Sequence, residues 1–80
     1  MYGPRQRAYG HPRENFARTA ALWNGYCEAR LGGPFDATDV AHMMVLLKMA
    51  RLVESPQHRD SWVDMAGYSA TGARVNGVDA

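Results

Sequence analysis

A single cysteine in 80 residues, Cys27, has nothing to pair with, so no disulfide braces this chain. A chain of this length buries only about 60% of its unfolded surface, and so small a core calls for help from self-association or a ligand. The opening "MYGPRQRAYG" has no apolar stretch to serve as a secretion signal. With the lone thiol, this points to a reducing, cytosolic setting. No hydrophobic run is long enough for a bilayer either. The longest, "VAHMMVLLKMARLV", is interrupted by His42, Lys48 and Arg51, and no membrane partner is expected. Charge of one sign is also scarce: 9 basic against 8 acidic residues leave +1, too little for a coat on extended nucleic acid. Repeats and cleanly alternating β-branched runs are missing. Neither a Walker-type loop nor GxGxxG occurs, and "GARVNG" at 72–77 lacks the strand-to-helix setting such loops need.

What remains is helical. Pro12 suits a first helical turn, and a helix is predicted from there to about Leu31, with Phe16, Ala20, Trp23 and Cys27 as its apolar stripe. "LGGPF" ends it. Asp36 or Thr38 caps a second helix reaching about Val53. Asp36 and Asp39 both read as capping residues. A third helix covers roughly Arg59 to Ala70, with Trp62, Met65, Ala66 and Ser69 turned inward and Asp60 at its positively polarised start. The expectation is one all-α domain over 1–80: a basic arm at 1–11, three helices, and a flexible tail at 72–80.

The second helix has apolar residues on every side, from Val40 and Met43 to Leu52 and Val53. A helix apolar all round is normally buried all round, which predicts a homo-oligomer. Lys48 and Arg51 interrupt it and leave two readings open: pairing with Asp60 and Asp64, or receiving a phosphate.

No zinc set emerges, because His11, His42 and His58 lie in separate segments and Cys27 falls on an apolar stripe. Asp60 and Asp64, at i and i+4, are the only close acidic pair on a helix and the candidate ligands for Mg²⁺ should the protein be a hydrolase. No other cofactor is expected.

The segments "RAYGHPRENFARTAALW", "DVAHMMVLLKMARL" and "HRDSWVDMAGYSATGA" resemble, over residues 5 to 73, a family of small phage and prophage proteins carried as a domain of unknown function. The motifs "YGHPRENF", "LLKMARL" and "DSWVDMAGY" carry that resemblance. The family is distantly similar to a nucleotide-modification-associated domain of phages, and through it to the MazG-like all-α nucleotide pyrophosphohydrolases. The paired E-x-x-E and E-x-x-D helices of those enzymes do not occur here. Family members often carry a helix ahead of the "YGHP" arm, and its loss would uncover apolar surface. Convergence of the motifs would join Arg7, Tyr9, His11, Arg13, Lys48, Arg51, His58 and Arg59 with Asp60 and Asp64. Such a set suits a phosphorylated nucleotide, with cations for phosphates and Tyr9 for stacking.

The resemblance therefore implies a small oligomeric protein of the host bacterial cytosol that binds a nucleotide or cyclic nucleotide. Sequestration of a host immune signal is the associated expectation. The alternatives are a MazG-like metal-dependent pyrophosphohydrolase and a module that docks a host protein.

Overall fold

The computed structural model describes residues 12–79. The predicted arm, with Arg7, Tyr9 and His11, lies outside the described residues. Three helices follow in order: α1 (Pro12–Ala29), α2 (Ala37–Glu54) and α3 (Arg59–Val75). None of them is long and apolar enough to cross a membrane.

Local chemistry sets the ends. Proline at the first position of α1 has no amide hydrogen to leave unsatisfied. After α1 the chain reverses through Leu31, Gly32 and Gly33, all left-handed, at φ 66°, 79° and 95°. α2 then opens with a reciprocal box, as its two aspartates suggested. Asp39 N–H donates to Asp36 Oδ1 at 3.0 Å, and Asp36 N–H donates to Asp39 Oδ2 at 2.8 Å.

α3 continues five residues beyond the predicted end at Ala70. The reason is a glycine-terminated cap. Gly77, at φ 70°, donates to Arg74 O at 3.0 Å, while Val78 N–H reaches back to Ala73 O at 2.8 Å. Asn76 adds a side-chain tie, its Nδ2 donating to Thr38 Oγ1 across to α2 at 3.0 Å. Residues 72–75, expected in the tail, are therefore helical.

α2 is the middle of the fold. It packs against both neighbours, and these two pairings are the main helix contacts among the described residues. α1 meets one side of α2: Arg18 Nη2 lies 2.9 Å from Glu54 Oε2, and Trp23 Nε1 donates to Met43 O at 2.8 Å. α3 meets the other side, with Lys48 Nζ 2.9 Å from Asp64 Oδ2. Gly72 lets the two backbones close, since a Cβ there would stand 3.1 Å from that of Ala41. The three helices thus form an open antiparallel layer. Two opposite sides of α2 are covered within the chain and two are left between its neighbours. This accounts in part for its lack of a polar face without any second chain.

Among the described residues the buried hydrophobic side chains are Ala41, Ala50 and Leu52. The predicted stripes on α1 and α3 are corrected by about one residue of rotation. Asn15 and Thr19 are buried on α1 while Phe16 is 66% exposed, and Ser61 is fully buried on α3 while Trp62 is 52% exposed. Ala20, Ala66 and Ser69 are exposed, and Cys27 is half-buried. The buried hydroxyls bond locally, Thr19 Oγ1 donating to Asn15 O at 3.0 Å and Ser61 Oγ lying 2.7 Å from His58 Nδ1.

Leu31 holds a left-handed backbone with its side chain 89% exposed, so it suffers strain without gaining burial. Leu31→Gly is expected to stabilise the fold by about 0.5–1 kcal/mol. Gly77→Ala, by contrast, is expected to cost about 1 kcal/mol. Thermal melts of the two variants should move in opposite directions, each by several degrees.

Candidate functional site

The antiparallel order brings the start of α1, the end of α2 and the start of α3 to one end of the layer. Of the predicted site residues, Arg13, Lys48, Arg51, His58, Arg59, Asp60 and Asp64 belong to these segments. Their partners differ. Lys48, its side chain only 12% exposed, lies 2.9 Å from Asp64 Oδ2. A buried ammonium needs such a partner to remain charged. Arg59 and Asp60 are 84% and 78% exposed, with 3.9 Å between Nη1 and Oδ1. Asp60 and Asp64 therefore engage different cations. His58 caps α3, its Nδ1 2.7 Å from the hydroxyl of buried Ser61. Arg13 is exposed and Arg51 half-buried.

Two further groups at this end were not foreseen. Asn15 is 6% exposed, and its Oδ1 has no hydrogen-bond partner. Arg18 spends Nη2 on Glu54, but its buried Nη1 is likewise without a partner. Such groups are uncommon in folded chains and mark places where a ligand or water completes the bonding. Nearby, Ser55, Pro56, Gln57 and His58 line a hollow of about 430 Å³. Among the described residues no three His, Cys, Asp or Glu side chains are grouped to hold a metal.

The other end of the layer carries a denser polar network. Asp39, 4% exposed, accepts from the Tyr26 hydroxyl and from Arg30 Nε at 2.8 Å on one oxygen, and from the Asp36 amide on the other. Arg30 also donates to the carbonyls of Gly32, Gly33 and Pro34 at 2.7–3.1 Å, and its Cζ lies 5.4 Å from the Phe35 ring centroid. Tyr26 Oη is 3.0 Å from His42 Nδ1, and the two rings meet edge to face with centroids 5.4 Å apart.

The donors gathered on Asp39 favour its ionised form. The Tyr26 hydroxyl is the largest influence, then the Asp36 amide, with Arg30 adding to both. Together they hold its pKa at about 2. The same bond, with the adjacent negative charge, raises the pKa of Tyr26. Sequence reasoning had Asp36 and Asp39 as caps but missed Tyr26 and Arg30. Their i, i+4 spacing ahead of the glycine turn was the available signal.

Beside this network lies a groove of about 610 Å³ between α1 and α3, floored by Ala41, His42, Val45 and Leu46 of α2. Tyr26 and Tyr68 line it with Val78 beyond the cap of α3, and among the described residues no Lys, Arg, Asp or Glu does.

Fold and sites together define a small all-α unit whose groove has no Lys, Arg, Asp or Glu among the described residues that line it. The chain belongs to the DUF6378 family, a domain of unknown function, whose profile matches residues 1–76. It is 44% identical over 75 residues to the Gene 55 protein of Mycobacterium phage D29, covering 94% of this chain and 47% of that one. It is also 46% identical over 67 residues to the Gene 55 protein of Mycobacterium phage L5, covering 84% and 41%. The chain spans less than half the length of these relatives. No solved structure matches it.

The lowered pKa of Asp39 has a definite consequence for stability. Unfolded, the carboxyl titrates near 3.8, and folded at about 2. Its contribution is fully present above about pH 5 and is lost as the pH falls toward the folded value. Acid titration followed by circular dichroism should show helix loss across that interval. Asp39→Asn is expected to melt lower at neutral pH and to respond less to acid between pH 5 and 2.

Proposed function

We propose that the chain is a small oligomeric nucleotide-binding protein whose cationic end holds the phosphates of a phosphorylated or cyclic nucleotide without turning it over. The observation that carries this reading is the convergence of the helix ends bearing Arg13, Arg51, His58 and Arg59, beside the unpartnered buried atoms of Asn15 and Arg18. Guanidinium groups match phosphate oxygens in forked pairs. The starts of α1 and α3 add positive potential at the same end. Arg7, Tyr9 and His11 directly precede α1 in sequence and complete the set, with Tyr9 as the stacking ring. Lys48 supports the end through its bond to Asp64.

In this reading the protein acts by stoichiometric capture in the bacterial cytosol. The phage origin of the Gene 55 relatives fits sequestration of a host immune signal. Self-association is part of the proposal, supported by exposed Met49 and Val53 against a core of three buried hydrophobic side chains among the described residues.

The test is one incubation of the protein with mono-, di-, tri- and cyclic nucleotides plus Mg²⁺, removal of free ligand, denaturation and identification of what is released. Intact nucleotide at a fixed ratio to protein is the expected result, with Arg51→Ala binding at least about 10-fold more weakly. Product in excess of protein would instead mean a hydrolase acting through Asp60 and Asp64. Retention of nothing would refute nucleotide binding and turn attention to a protein partner.

A further inference from the structure

The two uncovered sides of α2 differ in chemistry. At about 100° per residue, Val40, Met44, Leu47 and Arg51 fall together on one side, and it carries a cation. His42, Leu46, Met49 and Val53 fall together on the other, within an arc of about 60°. His42 and Leu46 are part of the groove floor, and Met49 and Val53 continue the line at 39% and 63% exposure. The spacing along this line is four, three, four, the repeat of a helix seam that packs on another helix.

We propose that this side is the surface on which a second copy of the chain packs, the two layers meeting face to face across a two-fold axis with the exposed Met49 and Val53 of each α2 at the contact. The inference deepens the self-association put forward above and is independent of nucleotide binding. Three features favour a second copy as the occupant. First, a two-fold interface is self-complementary, and a seam of this repeat can meet its own copy. Second, none of the described residues lining the groove is Lys, Arg, Asp or Glu, so an identical face brings no such charge against it.

The third feature is size. α2 has 18 residues and is therefore about 27 Å long, and three helices at spacings of 8–10 Å make the layer about as wide. The face then offers on the order of 700 Å², close to the roughly 800 Å² each partner gives to a stable complex. A single helical layer buries a face by packing it on a second layer.

The experiment is sedimentation equilibrium on the full chain and on two variants. The wild type should have twice the 8.9 kDa chain mass. Met49→Glu with Val53→Glu places charges on side chains already exposed in one copy, so helix content should be retained. Dissociation should become at least about 30-fold easier, because like charges would face one another across the seam. Val40→Glu, on the opposite side and 56% exposed, should remain dimeric.

A monomeric wild type at 100 µM, whether or not nucleotide is bound, would overturn self-association altogether. A dimer that survives Met49→Glu/Val53→Glu, or one that Val40→Glu breaks, would overturn this surface while leaving self-association standing. Circular dichroism of each variant separates a lost interface from a lost fold.

Discussion

The junction between α1 and α2 rests on one buried carboxylate and one guanidinium. Asp39 receives the Arg30 side chain and the Tyr26 hydroxyl from α1 while completing the cap that starts α2. Arg30 meanwhile gathers the carbonyls of the turn between them. A single ionised group thus ends one helix, shapes the reversal and begins the next. Charge-assisted bonds of this kind are stronger than neutral ones and more demanding in geometry. They matter here because apolar burial is so limited: α1 faces α2 with Asn15, Thr19, Tyr26 and Arg30, and its Phe16 points away.

That inversion explains what was legible in the sequence and what was not. Helix positions were readable because proline, aspartate and the paired glycines at 32–33 act locally, through backbone geometry and capping. The inner faces were not. Periodicity arguments assume that the apolar side of a helix is the packed side, and in an open layer that assumption fails for the outer helices. Phe16 and Trp62 were consequently placed inward when Asn15 and Ser61 occupy those positions. The extension of α3 was within reach, because Asn76 followed by Gly77 is an ordinary helix stop. It was passed over because the tail offered little to bury.

The candidate site was partly legible for a similar reason. Spacing alone could name Lys48 and the two aspartates, but it could not choose which carboxylate would cross from α3. The antiparallel register does, setting Asp64 against Lys48 and leaving Asp60 beside Arg59. The unpartnered atoms of Asn15 and Arg18 are properties of the packed state and leave no trace in composition. The end that bears Arg13, His58 and Arg59 and the groove beside Tyr26 lie toward opposite ends of the layer.

One consequence of the open layer reaches beyond this chain. In a closed three-helix bundle each helix touches both others, and a fourth has no vacant flank to join. Here the main pairings, α1 with α2 and α2 with α3, follow the order of the chain, and each outer helix keeps a flank that α2 does not cover among the described residues. Such an architecture is extensible: segments can be appended at either edge without disturbing the register of α1 to α3. The same unit can therefore be carried inside chains more than twice as long as the stretch they share with this one, such as the two Gene 55 proteins.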